Sequence, residues 1–347
     1  MQAASTCRIL PTHTAALFQA AVKQAAELLR AGELVALPTE TVYGLAANAL
    51  DARAVAGIFA AKGRPAENPI IVHVASLEMA QACVADWPPE AAQLARAFWP
   101  GPLTLVLPRA ARIPDVVTAG GPTVGVRWPS HPFIQAVIRE CGFPLAAPSA
   151  NPANRISPTN AEHVRQAMGD KVRLIVDGGQ SQVGIESTVL DLTVRPPQVL
   201  RPGMVHAESL RAALRTSESS ESLPAIPSSA LRTPHLRSPG RLPRHYSPKA
   251  ELRVLAWRDE GDLKSQISDF KHEPGKVHVI AHTVIPGGAG WGRVSVIPHD
   301  AEAFARAIYA ELHACDELSA GLIVVEAPPE TDEWQAIRDR LKRAAAS

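Results

Sequence analysis

Along the first two hundred residues the apolar positions keep switching between two periods. From residue 15 to 31, Leu17, Ala21, Ala25 and Leu28 recur at helical spacing, and Gly32 follows as a stop. Leu34 to Leu37 reads as a buried strand. Asp51 fits the N-cap of a helix carrying Val55, Ile58 and Phe59, which Gly63 and Pro65 end before the apolar run Ile70 to Val74. The alternation continues through strands at Leu103–Leu107, Thr123–Arg127, Pro144–Ala147 and Leu174–Val176, with a helix opened by Ser130 and another near 160–168. Strands interleaved with helices predict a layered α/β domain. Pro-Gly-Pro at 100–102 and Gly-Gly pairs at 120–121 and 178–179 predict tight connections.

After about residue 215 the pattern fails: 216–248 is rich in Ser, Pro and Arg and carries almost no apolar periodicity, as a linker or a lid would. Beyond it Leu252–Leu255, Val277–Ala281, Val294–Ile297 and Leu322–Val325 read as strands, with helices around 300–315 and 332–345. A second, smaller α/β domain is expected, in keeping with 347 residues being long for a single core. No repeat at a fixed period is evident.

Composition narrows the class. Hydrophobic residues at 46% and charged ones at 20% are ordinary for a globular chain, and 31 prolines punctuate its loops. Thirty-five basic against 34 acidic residues leave a formal charge of +1, so any attraction for an anion must be local. Cys7, Cys83, Cys141 and Cys315 lie far apart, without the paired spacing of a zinc site, and read as reduced thiols of a cytoplasmic protein. No apolar run of eighteen residues and no charged-then-apolar leader occurs, so neither a membrane span nor export is expected.

Candidate chemistry gathers in a few segments. Pro38-Thr39-Glu40-Thr41-Val42-Tyr43-Gly44-Leu45 follows a buried strand, where open α/β sheets commonly bind ligands, although threonines in a plain turn bond to their own backbone. Lys62 and Arg64 stand at a helix C-terminus. There cations complement the helix dipole, which is one reading of them; phosphate would gain nothing from that dipole, so binding must rest on their side-chain charges. Strand alternation puts Thr123, Gly125 and Arg127 on one face, the glycine leaving room and the arginine presenting a planar fork. The same alternation aligns Ala147, Ser149 and Asn151. His73 lies in a strand apolar on both faces, where a core role and a ligand role compete. The Walker, Gly-x-Gly-x-x-Gly, His-Glu-x-x-His and Gly-x-Ser-x-Gly patterns are absent, and the Gly287 to Gly292 cluster reads as a surface loop.

Several of these segments carry a resemblance. Pro38–Leu45, Lys62-Gly63-Arg64-Pro65-x-x-Asn68-Pro69, Trp99-Pro100-Gly101-Pro102-Leu103-Thr104, Ala147-Pro148-Ser149-Ala150-Asn151, Ser157-Pro158-Thr159, Glu186-Ser187-Thr188 and Arg201-Pro202-Gly203 together resemble the YrdC/Sua5 family over about residues 15–206. Pro239-Gly240 and His245-Tyr246-Ser247-Pro248 resemble its longer, two-domain form. The resemblance implies a twisted mixed sheet of YrdC type in 1–206, a linker or lid in 207–250, and a Rossmann-like α/β domain in 251–347. It implies an L-threonylcarbamoyladenylate synthase, a nucleotidyltransferase that joins threonine, bicarbonate or CO2 and ATP, with Mg2+ on the phosphates and no metal held directly by protein. The product would pass to a tRNA threonylcarbamoyl transferase, with at most a weak tRNA contact.

By the same resemblance Thr41, His73, Arg127, Ala147 and Ser187 would meet threonine. Arg64, Asn68, Thr123, Ser149, Ser157, Arg201 and Tyr246 would meet ATP, with Asn151 nearby. Lys62 and Arg64 would act catalytically as charge at the phosphates. Two competing readings are a non-catalytic RNA-binding or ribosome-associated module and a carbamoyl transferase of the hydrogenase-maturation kind. The first is disfavoured by the near-neutral charge and the second by the lack of paired cysteines.

Overall fold

The computed structural model describes residues 7–214, 245–270, 273 and 275–346. They form two compact units, one of residues 7–153 with 158–214 and one of 154–157 with 245–346. The expected lid falls largely on 215–244, outside the described residues.

The first unit runs β1 (Arg8–Pro11), α1 (Ala15–Arg30), β2 (Val35–Leu37), β3 (Gly44–Asn48), α2 (Ala52–Lys62), β4 (Val72–His73), α3 (Leu77–Ala82), α4 (Pro89–Phe98), β5 (Leu103–Pro108), α5 (Asp115–Thr118), β6 (Thr123–Arg127), α6 (Pro132–Cys141), β7 (Leu145–Ala146), α7 (Ala161–Met168), β8 (Leu174–Asp177), β9 (Thr188–Asp191), β10 (Gln198–Arg201) and α8 (Ala207–Leu214). Its strands make one mixed sheet in the order β1-β8-β2-β3-β7-β4-β6-β5-β9-β10. The alternation of side chains across the strands sorts them into two cores. Val35 and Leu37 pack with Ala21, Ala25 and Leu29 of α1 and Phe133 and Val137 of α6, while Ala36 and Leu45 face Val55 and Ile58 of α2. Phe18 and Phe133 meet edge-on at 5.1 Å, pinning the first pair of helices together.

The caps explain where these helices stop and start. The Thr14 and Asp51 side chains accept backbone N–H bonds at the starts of α1 and α2, and Gly63 ends α2 at φ 59°, a left-handed conformation that glycine adopts without strain. The helix expected from Ser130 is capped instead by His131, whose Nδ1 accepts from the Phe133 N–H at 3.2 Å. The run Ile70 to Val74 narrows to a two-residue strand, because Ile70 and Val74 bond to Val117 and Arg127 outside regular ladders.

The second unit carries β11 (Glu251–Leu255), α9 (Glu260–Gln266), β12 (Val277–Ala281), β13 (Arg293–Val296), α10 (Ala301–Glu317), β14 (Leu322–Glu326) and α11 (Gln335–Ala344). Its four strands are all parallel, in the order β11-β14-β12-β13, which is the Rossmann-like layering expected.

Candidate active site

Arg127 ends β6 with its side chain buried, and two parts of the chain meet it. Nε donates to the Gly101 carbonyl at 3.2 Å, Nη1 donates to Thr41 Oγ1 at 2.9 Å, and Nη2 lies 2.6 Å from Glu40 Oε1. The loop after β2 therefore folds onto the end of β6. Thr39 takes the turn role, its hydroxyl donating to the Val42 carbonyl at 2.6 Å and accepting from the Thr41 hydroxyl at 2.9 Å, while Thr41 Oγ1 in turn accepts from the guanidinium. Tyr43 fixes the same loop from below: its hydroxyl donates to the Gly179 carbonyl at 2.7 Å and accepts from the Gly178 N–H, and burial pushes its pKa up. Backbone bonds from Val183 to Glu40 and from Gly184 to Thr41 tie the Gly178–Ser187 segment to it.

His73 pairs in register with Arg127 across β4 and β6. Burial first, then the neighbouring Arg127 charge, lowers its pKa to about 3, with a bond to the Ile71 backbone pulling the other way. The ring is neutral at physiological pH, and its Nδ1 is buried without a hydrogen-bond partner. The face shared by Thr123, Gly125 and Arg127 exists, but Thr104 fills the space beside Gly125: a Cβ there would lie 3.2 Å from its methyl group. Thr104 in turn bonds the Ser187 hydroxyl at 2.8 Å, and Arg201 donates to that hydroxyl and to the Ser187 carbonyl at 3.1 and 3.0 Å.

Lys62 is buried, its ammonium donating to the carbonyls of Ser149 and Asn151. Burial first and Arg64 second push its pKa well down, while Glu186 opposes them. The lysine thus holds the Ser149–Asn151 row against the end of α2, and Ala150 and Leu45 complete the seam through bonds to Tyr43 and Pro148. Ala147 is buried beside Gly44, whose missing side chain lets the two backbones approach. Arg64 curls over its own turn, donating to the carbonyls of Asn68 and Pro69 at 3.3 and 3.0 Å. Thr123 is half-buried at the far end of β6.

Ser157 and Tyr246 belong to the second unit. The Ser157 carbonyl contacts His313 Nε2 at 3.2 Å, and Tyr246, at φ 63°, stacks on Tyr309 with Arg340 over its ring at 5.3 Å. The sequence reading named Glu40, Thr104 and Glu186 only as members of their segments, with no role, and passed over Arg340. A buried Glu beside Thr41 was the available signal for Glu40, and only long-range pairing reveals its burial.

Among the described residues no three His, Cys, Asp or Glu side chains gather as a metal would need. A cleft of about 430 Å³ lined by Cys7, Glu33, Asp170, Lys171 and Arg173 contains none of the expected site residues.

Fold and site define an α/β protein whose first unit holds fixed, buried cations. Residues 27–203 match the family described as Sua5, YciO and YrdC, telomere recombination, and 205–346 match the C-terminal domain of threonylcarbamoyl-AMP synthase. The threonylcarbamoyl-AMP synthase of Pyrococcus abyssi is 41% identical over 93% of this chain and 94% of that protein, and the Bacillus subtilis one 38% identical over 93% and 92%. A crystal structure of P. abyssi Sua5 complexed with L-threonine superposes with a TM-score of 0.83 at 40% identity, covering 93% of this chain and 94% of that one. The chain belongs to the YrdC/Sua5 family in its two-domain form.

Proposed function

We infer that the protein is an L-threonylcarbamoyladenylate synthase, the enzyme that makes threonylcarbamoyl-AMP. Its role is to supply N6-threonylcarbamoyladenosine modification of tRNA. The observation that carries the reading is Arg127, a buried guanidinium met by two separate family segments, Pro38–Leu45 and Trp99–Thr104. Its setting suits a substrate carboxylate.

The substrates would be threonine, bicarbonate or CO2, and ATP. Once the threonine amine has become a carbamate, its oxygen attacks the α-phosphorus and pyrophosphate leaves. The protein then needs no nucleophile of its own; orientation of two bound reactants can account for about 7–11 kcal/mol of the barrier in favourable cases. Thr41, His73, Arg127, Ala147 and Ser187 would surround the amino acid, with His73 neutral. Arg64, Asn68, Thr123, Ser149, Ser157, Arg201 and Tyr246 are proposed for the nucleotide, with Asn151 beside them. Lys62 and Arg64 would act catalytically as charge at the phosphates, and Lys62 also holds the Ser149 row in place. Mg2+ would arrive on the phosphates of ATP, which supply the oxygen ligands it prefers.

A tRNA threonylcarbamoyl transferase would take the product, since a mixed anhydride hydrolyses unless it is passed on. Four thiols without disulfides suit a cytoplasmic enzyme, and no helix among the described residues is long and apolar enough to cross a membrane. A purely RNA-binding module gains no support from Lys62 and Arg127, which are buried beyond the reach of a nucleic-acid backbone. The test is pyrophosphate release. It should require threonine, bicarbonate and ATP together and proceed without RNA; release independent of threonine would refute the reading.

A further inference from the structure

Glu40 is buried to 6% exposure, and its carboxylate meets the equally buried Arg127 at 2.6 Å. The contact is one of charge: neither Glu40 oxygen accepts a hydrogen bond, and Arg127 Nη2 donates none. A buried carboxylate ordinarily collects several N–H or O–H donors, because removing it from water is costly unless they replace the solvent. Its position is fixed, since the Glu40 carbonyl accepts from Val183 N–H at 2.7 Å and the neighbouring Thr41 hydroxyl is held by Arg127. His131 also faces Glu40, but burial holds its pKa down against the pull of that carboxylate, and its Nδ1 is already used by Phe133. The site thus contains a carboxylate with unused acceptor capacity beside a guanidinium whose five N–H groups are only partly committed.

We propose that Glu40 receives the α-ammonium group of the amino acid whose carboxylate Arg127 holds, so that the buried pair forms a receptor for a zwitterion and selects against acids lacking the ammonium. The proposal rests on Arg127 being the carboxylate site of the reaction inferred above. The charge balance favours it: a neutral ion pair exchanges partners with a neutral zwitterion, and no net charge enters the buried space. An ammonium also brings three donors to oxygens that have none.

The experiment is calorimetric titration of L-threonine and of its deaminated analogue, the same acid with a hydroxyl replacing the ammonium, into the full-length protein and its Glu40→Gln variant. The wild type should prefer threonine by about 10- to 100-fold, the range of a charge-assisted hydrogen bond, and Glu40→Gln should shrink that preference to about threefold or less. If Glu40→Gln does not fold, Glu40→Asp decides. Setting the carboxylate back by one methylene should weaken threonine about tenfold while leaving the analogue within about threefold of wild type. A wild type that binds both acids equally overturns the proposal while leaving Arg127 as a carboxylate site. Full preference in Glu40→Gln, or equal loss of both ligands in Glu40→Asp, overturns it too. A wild type that binds neither acid instead refutes the underlying reading.

Discussion

Two buried carboxylates, one in each unit, are treated by their surroundings in opposite ways. Glu326, at the end of β14, accepts from the N–H groups of His282, Thr283 and Val284 at 2.7, 2.8 and 3.2 Å and from the Thr283 hydroxyl. Burial alone would raise its pKa, but these bonds outweigh it and hold the carboxyl below its usual range. Glu40 is just as buried and has an arginine beside it, yet none of its oxygens receives a hydrogen bond. The first carboxylate fills the end of a parallel sheet where an open α/β fold would otherwise offer N–H groups to a ligand, and so acts as structure. The second leaves capacity unspent. The contrast sets a carboxylate saturated by its own chain against one that is not.

Four changes probe this contrast, from largest effect to smallest. Arg127→Ala removes the cation from Glu40 and the fork from the substrate. Threonine KM should rise at least about 100-fold, the equivalent of two lost charge-assisted bonds, with the ATP KM little changed. Equal damage to both constants would dissolve the distinction between the two ligand sets. Lys62→Met keeps the stem but donates nothing to Ser149 and Asn151; the apparent affinity for ATP should fall about tenfold in initial-rate kinetics, and unchanged affinity would show that the row stands without it.

Glu326→Gln should cost about 1–3 kcal/mol in urea unfolding and leave threonine binding untouched. Because the folded-state pKa of Glu326 is depressed, the wild-type advantage is present above the ordinary glutamate range and is lost as pH falls through the folded value. A variant as stable as wild type at neutral pH would mean the saturated carboxylate does nothing for the fold. The smallest effect concerns His73. Folded protein keeps the ring neutral down to about pH 3, whereas the unfolded chain takes up a proton below about 6.5, so its contribution to stability declines as pH falls between those values. His73→Asn should flatten that decline in acid denaturation; an unaltered curve would show the ring to be charged in the fold.

The helices that announce themselves were legible because their signals are local. Asp51 and Gly63 cap where their residue types say they should, whereas the Thr14 cap of α1 was not read, and the strand containing Thr123 and Arg127 puts its arginine where alternation predicts. α4 was unread because Pro88 and Pro89 look like a loop, although proline at the first helical position is compatible with a start. In the site, Thr41, Ser187 and Arg201 were readable as motif members and Arg127 from strand alternation; Arg127 bonds Thr41, and Arg201 bonds Ser187. Lys62 was read as a charge for phosphates, and the structure instead seats it on two carbonyls, a contact set by a partner 87 residues away. Glu40 was invisible for the same reason: one glutamate between two threonines carries no pattern, and only the return of β6 buries it. The Gly287–Gly288 turn, read as surface, accommodates the Glu260 carboxylate on its two N–H groups at 3.0 and 2.6 Å.

The claim beneath all of this is that the pocket joins a carbamylated amino acid to a nucleotide with no covalent help from the protein. Mass analysis of a reaction containing ATP, L-threonine and carbon-13-labelled bicarbonate, without RNA, addresses it directly. The account predicts a threonylcarbamoyl adenylate carrying the label. An unlabelled threonyl adenylate, or substrates recovered intact, would contradict it.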